Sequence, residues 1–371
     1  MGTASKQDER VMGSPIGARM IINGREVDYF CGTSYYTLHG HPAVIDAACE
    51  ATRKYGLGPA TNAGNSVLTE TVERARQYFE SETATYVISG YLGAMMLAQA
   101  LSDDYDAVFV DEASHYSVFD GIRTSGKSIV RFRHLDAADL SAKLAEHVHP
   151  GQVPLVMTDG IFPVTGRIAP LPEYCDVLST YCPSLLCVDD SHAVGVIGEK
   201  GQGTFEYFGL RGENLYLAGT LSKAFGGIGG IVPGDHALAA KIKKNVRIST
   251  GASPPPVPAA AAAGMGIRIL SENPEMRRDL WANVKRVRNG FRELGFEMED
   301  SPVPIVNVRG GPSLDLEHVR EELDSQDIVI LRVPPNGYSD APDVESLRIA
   351  VFSTHQEEQI QRLIEGIGRA I

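Results

Sequence analysis

Between about residues 83 and 232 the chain alternates short β-rich runs with helix-period segments, and this alternation constrains the fold more than any other feature. The runs are Thr85-Tyr86-Val87-Ile88, Ala107-Val108-Phe109-Val110, Ser128-Ile129-Val130, Leu155-Val156-Met157, Leu185-Leu186-Cys187-Val188 and Leu215-Tyr216-Leu217-Ala218. Most are separated by segments such as Ala138 to His147, whose apolar residues recur at helical spacing. Strands that alternate with helices predict an α/β fold, with a mostly parallel sheet between helical layers. The runs are almost continuously apolar, which suits strands buried on both faces.

The flanking segments read differently. Asn23-Gly24 lies between Ala18 to Ile22 and Val27 to Phe30 and predicts a tight hairpin turn. A helix is expected to begin near His41-Pro42, with the proline in the first turn where its missing N–H costs nothing. Pro254-Pro255-Pro256 breaks the chain, and helical stretches follow from Ala259 to about Leu294. The remainder reads as a small α+β unit: strands at 304 to 308, 328 to 331 and 347 to 352, a helix near 316 to 323, and a terminal helix. The expected division is an N-terminal hairpin or arm (1–40), a large domain (41–255), then an interdomain helix and small C-terminal domain (256–371).

Charge and cysteine content exclude some functions. Against 34 basic residues stand 47 acidic ones, a net charge of −13, and no basic stripe offsets it, so nucleic-acid binding is not expected. No apolar run reaches the roughly 18 residues that a membrane helix needs. The polar first nine residues lack a signal-peptide core, which predicts a cytoplasmic protein. The cysteines (Cys31, Cys49, Cys175, Cys182, Cys187) show no paired Cys-x-x-Cys spacing and read as free thiols in a reducing compartment, with no metal site.

Four features fall at the ends of predicted strands, where open parallel sheets bind ligands. Ser89-Gly90-Tyr91 joins a strand to a helix, and its backbone N–H groups could cradle a phosphate; such turns also carry Ser-Gly for steric reasons alone. His115, after Asp111-Glu112-Ala113-Ser114, could stack on a flat ring or simply cap a helix. Asp189 closes a strand three residues before His192; the pair could begin a metal site, but no further ligand spacing completes one. The last feature is Thr220-Leu221-Ser222-Lys223-Ala224-Phe225-Gly226-Gly227, a lysine in a turn of small residues, with Gly229 and Gly230 following. A lysine so placed, with an upstream carboxylate at a strand end, suits a Schiff base to pyridoxal phosphate whose ring nitrogen the carboxylate keeps protonated. Thr220 could reach the same phosphate.

These residues in this order resemble the fold-type I PLP enzymes, and within them the α-oxoamine synthases, over about residues 14 to 371. The most specific elements are Asp-Asp-Ser-His-Ala-Val-Gly-Val-Ile-Gly (189 to 198) and Thr-Leu-Ser-Lys-Ala-Phe-Gly-Gly (220 to 227). Ser114-His115, Thr158-Asp159-Gly160-Ile161-Phe162 and the Leu-Arg-Ile run with a later Thr-His (347 to 355) add to the match. The resemblance implies a seven-stranded, mostly parallel sheet in the large domain. It implies that Lys223 carries pyridoxal 5'-phosphate, Asp189 faces the ring nitrogen, and His115 stacks on the ring. His192 then lies near the phenolic oxygen or the substrate carboxyl. Ser89, Gly90, Tyr91 and Thr220 meet the phosphate, and Arg348 takes the substrate carboxylate, which its planar fork fits. A homodimer is implied in which a partner hydroxyl completes the phosphate site, with Thr250 the nearest match and Ser249 and Ser253 as alternatives.

Departures fall on the substrate side. The family's early Asn-Asn/Asp-Tyr-Leu-Gly-Leu reads Thr33-Ser34-Tyr35-Tyr36-Thr37-Leu38, so Thr33 replaces the asparagine that helps hold substrate. Pro163 replaces a serine after Phe162, and Thr69 replaces a histidine. The segment after Tyr55-Gly56-Leu57-Gly58 is shortened, and a leading helix on the acyl-CoA side is largely missing. The function expected is condensation of a small amino acid with an acyl-CoA thioester. Aminotransfer, decarboxylation or aldol-type cleavage on the same fold is the alternative, and a non-catalytic binding subunit is a third.

Overall fold

The computed structural model describes residues 10–58, 64–311, 314–335, 337–338 and 345–371. The polar N-terminal nine residues and the shortened segment that follows Gly58 lie outside the described residues.

All six expected runs are strands of one sheet. Its order is Thr83–Val87, Gly230–Gly234, Leu215–Thr220, Leu185–Asp189, Pro154–Asp159, Ala107–Asp111, Ser128–Phe132. Only Gly230–Gly234 runs antiparallel to its neighbours. This strand carries glycine at both ends and Pro233 inside, so residue preference did not reveal it. Pro233 is tolerated because pairing with Leu215–Thr220 involves only Ile231 and Gly230. The three central strands, Leu185–Asp189, Pro154–Asp159 and Ala107–Asp111, are buried at every position, which explains their unbroken apolar character. Asp111, Asp159 and Asp189 each occupy the last residue of one of them, so three carboxylates share the carboxyl edge of the sheet.

The hairpin forms as expected, Arg19–Ile22 against Arg25–Tyr29, with Asn23 and Gly24 both at positive φ. It also gains a parallel partner, Ile328–Val329, from the C-terminal region. His355 also ties the hairpin to the C-terminal region: its Nδ1 accepts from the Phe352 N–H at 2.8 Å and its Nε2 donates to the Tyr29 carbonyl at 3.0 Å. Its ring also stacks on Phe30. The expected helical stretch after the prolines is two helices, Val257–Glu272 and Glu275–Glu293, divided at Asn273-Pro274 because proline cannot continue the hydrogen-bond ladder. A second sheet, Ile305–Arg309, Ser346–Ala350 and Leu331–Val333, is covered by the helices Leu316–Ser325 and Glu357–Ala370. Its central strand brings Arg348 toward the main sheet. Among the described residues no helix is long and apolar enough to cross a membrane.

Candidate active site

A cavity of about 320 Å³ opens at the carboxyl edge of the main sheet, and the expected site residues converge on it. Ser89, Gly90, Tyr91, His115, Asp189, Thr220 and Lys223 line it, together with His192, Thr33 and Arg348. Sequence positions from 33 to 348 thus meet in one space.

Lys223 is partly buried, and desolvation pushes its amine down from the ordinary 10.5 to about 8 against the pull of Asp189 and Asp159. An amine near neutrality is a better nucleophile and proton acceptor than an ordinary lysine. Asp189 accepts from the Ser191 N–H at 3.0 Å and receives a long contact of 3.5 Å from the Ser117 hydroxyl. Asp190 points away from the cavity. Its carboxylate binds the Thr204 N–H and hydroxyl, and burial raises it to about 7.

His115 caps the helix Tyr116–Arg123 and also lines the cavity, so the capping and ligand roles coexist. Its Nδ1 accepts from the Ser117 N–H at 3.2 Å, which leaves the proton on Nε2. Burial holds the ring below its ordinary pKa and therefore neutral. Its backbone N–H donates to Asp159 at 2.7 Å. Burial, then the neighbouring Asp189, pushes Asp159 well above the ordinary carboxylate range. His192 is fixed through Nδ1 by the Tyr35 phenol at 2.7 Å, and burial keeps it neutral.

The Ser89 hydroxyl accepts from the Tyr91 N–H, forming a turn that lies directly on Thr220. A Cβ at position 90 would lie 2.5 Å from Thr220 Oγ1, so glycine is required for this approach. Thr220 Oγ1 already donates to the Gly229 carbonyl at 3.0 Å and accepts from the Ser222 N–H. Arg348 donates to the carbonyls of Pro163 (2.6 Å) and Gly32 (3.1 Å). Pro163 has no N–H to give, but its carbonyl orients the guanidinium.

Ser249 and Thr250 are not on this cavity. Both hydroxyls donate to carbonyls of their own turn, and the neighbouring Ser253 is exposed. Thr69 sits exposed on the helix Ser66–Tyr78, bonded to the Asn65 carbonyl. Sequence reasoning missed Tyr35, Ser117, Asp159 and Ser222. Only Asp159 gave a usable signal, as an acid ending a strand beside the Asp189 strand.

The residues fit pyridoxal phosphate on their own geometry. A partly buried lysine and a strand-end carboxylate face one cavity, and a glycine turn leaves room where a side chain would collide. Among the described residues no group of three or more His, Cys, Asp or Glu is placed to hold a metal ion.

Residues 30–367 match the family described as aminotransferase class I and II. The 8-amino-7-oxononanoate synthase of Thermoanaerobacter pseudethanolicus is 35% identical over 373 residues, covering 97% of this chain and 92% of that protein. That of Coprothermobacter proteolyticus is 32% identical over 361 residues, covering 96% and 91%. Among solved structures, serine palmitoyltransferase from S. paucimobilis with bound PLP and myriocin superposes with a TM-score of 0.88 at 26% identity, covering 97% of this chain and 92% of that chain. The chain belongs to the aminotransferase class I and II family and, within it, to the fold-type I α-oxoamine synthases, PLP-dependent acyltransferases that condense an amino acid with an acyl thioester.

Proposed function

We propose that Lys223 holds the coenzyme and then moves the substrate's α-proton, in a reaction between a small amino acid and acyl-CoA. Pyridoxal phosphate supplies an electron sink for the substrate's α-carbon. Asp189, at the strand end, would keep the ring nitrogen protonated, and His115 would pack on the ring face. The Ser89-Gly90-Tyr91 turn and Thr220 receive the phosphate. Arg348, aimed by two backbone carbonyls, takes the substrate carboxylate as a charge-assisted pair. Thr33 stands beside it, with a shorter reach than asparagine. His192, neutral and fixed by Tyr35, presents its other nitrogen toward the coenzyme's phenolic oxygen or the substrate.

The Lys223 amine, of lowered pKa, would accept the substrate's α-proton at Nζ when it is not linked to the coenzyme. A C–C bond forms to the acyl carbon, the C–S bond breaks, and the thiol leaves with a proton. Loss of the carboxyl group as CO2, with a proton from solvent delivered to the α-carbon in its place, completes the condensation. The observation that carries this reading is the shared cavity of Lys223, Asp189 and Arg348.

Two copies are inferred to form the working unit. Leu57, Ile228 and Ile88 are 71%, 57% and 45% exposed, apolar side chains that a second copy could cover. Thr250 or a neighbouring hydroxyl would then reach the other copy's phosphate. The hairpin of residues 1–40, the domain of 41–255 and the C-terminal part of 256–371 are taken as the structural units, in a cytoplasmic protein whose free thiols suit a reducing compartment.

The test is thiol release from a panel of acyl-CoA donors with glycine, alanine or serine, using protein loaded with pyridoxal phosphate. Release that depends on the amino acid and vanishes in Lys223→Ala supports the reading. Keto-acid-dependent amino transfer without thiol release would overturn it.

A further inference from the structure

One short loop touches several parts of the site. Gly32 accepts from Arg348 Nη1, Thr33 lines the cavity, and Tyr35 fixes His192. The Tyr36 phenol donates to the Gly195 carbonyl at 2.6 Å, and Leu38 packs against Gly226, where a Cβ would come within 2.5 Å. His39 closes the loop. Its Nδ1 lies 2.6 Å from the Ser34 hydroxyl, and its Nε2 lies 3.1 Å from the carbonyl of Ser222, the residue before Lys223. A carbonyl can only accept, so Nε2 carries the proton and Nδ1 accepts from Ser34. Burial lowers the ring's pKa and favours this neutral form. Ser222 is itself pinned, since its hydroxyl accepts from the Gly229 N–H at 2.9 Å.

We propose that His39 is a positioning residue: its ring bridges Ser34 to the Ser222 carbonyl and sets the Lys223 amine in register with the loop that orients Arg348 and His192. A backbone displacement of about 1 Å at a reacting group can cost on the order of 100-fold in rate. A single imidazole spanning the two segments therefore controls where the amine stands relative to the α-carbon. The inference rests on the role proposed above for Lys223. It adds a residue that touches neither coenzyme nor substrate.

Two readouts on the full-length chain test it. The first is the rate at which added pyridoxal phosphate acquires the visible absorbance of the lysine-linked form. The second is exchange of an amino acid's α-proton in D2O by the loaded protein, followed by NMR without an acyl donor. In His39→Ala, α-proton exchange is expected to fall about tenfold or more and coenzyme linkage to slow, with little change in melting temperature. His39→Gln, whose amide can accept from Ser34 and donate to Ser222, restores most of both. Ser34→Ala gives a smaller loss that does not add to that of His39→Ala, because the bridge is already broken. Unchanged linkage and exchange in folded His39→Ala overturn the proposal, and so does a loss that tracks only a fall in melting temperature. If His39→Ala does not fold, Ser34→Ala and His39→Gln decide by the same criteria. A wild-type protein that links the coenzyme but exchanges no α-proton counts against the reaction; the linkage rates then judge His39.

Discussion

Arg348 Nε donates to the carbonyl of Pro163 at 2.6 Å, a bond between the second sheet and the turn after Phe162. With the Gly32 carbonyl on Nη1, two backbone acceptors fix the plane of the guanidinium before any carboxylate arrives. Lysine can reproduce the charge but not the planar fork. Arg348→Lys is expected to raise the KM for the amino acid by roughly 10- to 100-fold, the loss of one charge-assisted bond of about 1.5–3 kcal/mol. Coenzyme affinity should stay within about twofold. A variant with unchanged KM would remove Arg348 from the substrate site.

The desolvated amine of Lys223 also makes a stability prediction. The folded amine titrates near 8 and the unfolded one near its ordinary 10.5. Between these values the unfolded chain binds more protons, so stability rises with pH across the window. Below pH 8 the cost of the buried charge is fully present, at roughly 3 kcal/mol for the whole shift. Coenzyme-free Lys223→Met should therefore melt above the wild type at pH 7, with the gap narrowing as pH climbs toward 10. A gap independent of pH would show that the amine is not strained by burial.

How much of this was legible in sequence depends on the kind of signal. Long apolar runs announced the six parallel strands, and the residues ending them led to Asp189, His115 and Lys223. The strand Gly230–Gly234 stayed hidden because its place depends on pairing with Thr83–Val87, which lies well over a hundred residues away in the chain. Tyr35 and His39 were hidden for a related reason. A phenol or imidazole in a loop acquires a role only from what it faces, here His192 and the Ser222 carbonyl. Pro163 was legible as a lost hydroxyl, but its remaining acceptor, the carbonyl on Arg348, was visible only in three dimensions.

The Ser89-Gly90-Tyr91 turn gives a steric test. A methyl group at position 90 would meet Thr220 at 2.5 Å from Oγ1 and 2.6 Å from Cβ, and Thr220 sits on a buried strand with little freedom to retreat. Gly90→Ala should therefore shift the turn and weaken pyridoxal phosphate binding about tenfold or more, an overpacking cost of about 1–3 kcal/mol. Equilibrium dialysis measures the change directly. Wild-type affinity in the variant would mean that this turn does not shape the phosphate site.

Thr37 has φ 56 and ψ 23, the left-handed region, where a β-branched residue is strained. The related enzymes implied by sequence carry glycine at this position. Strain of this kind costs about 1–3 kcal/mol, and glycine returns about 0.4–1 kcal/mol of that through the entropy of the unfolded chain. Thr37→Gly should therefore raise stability by about 1 kcal/mol, read as a higher urea midpoint at constant slope. Thr37→Ala should not, because alanine keeps the Cβ that causes the strain. If glycine leaves the midpoint where it was, the single bond from the Thr37 hydroxyl to the Tyr36 carbonyl at 2.7 Å offsets the backbone cost. The loop that carries His39 would then be held by that bond as well as by its contacts across the site.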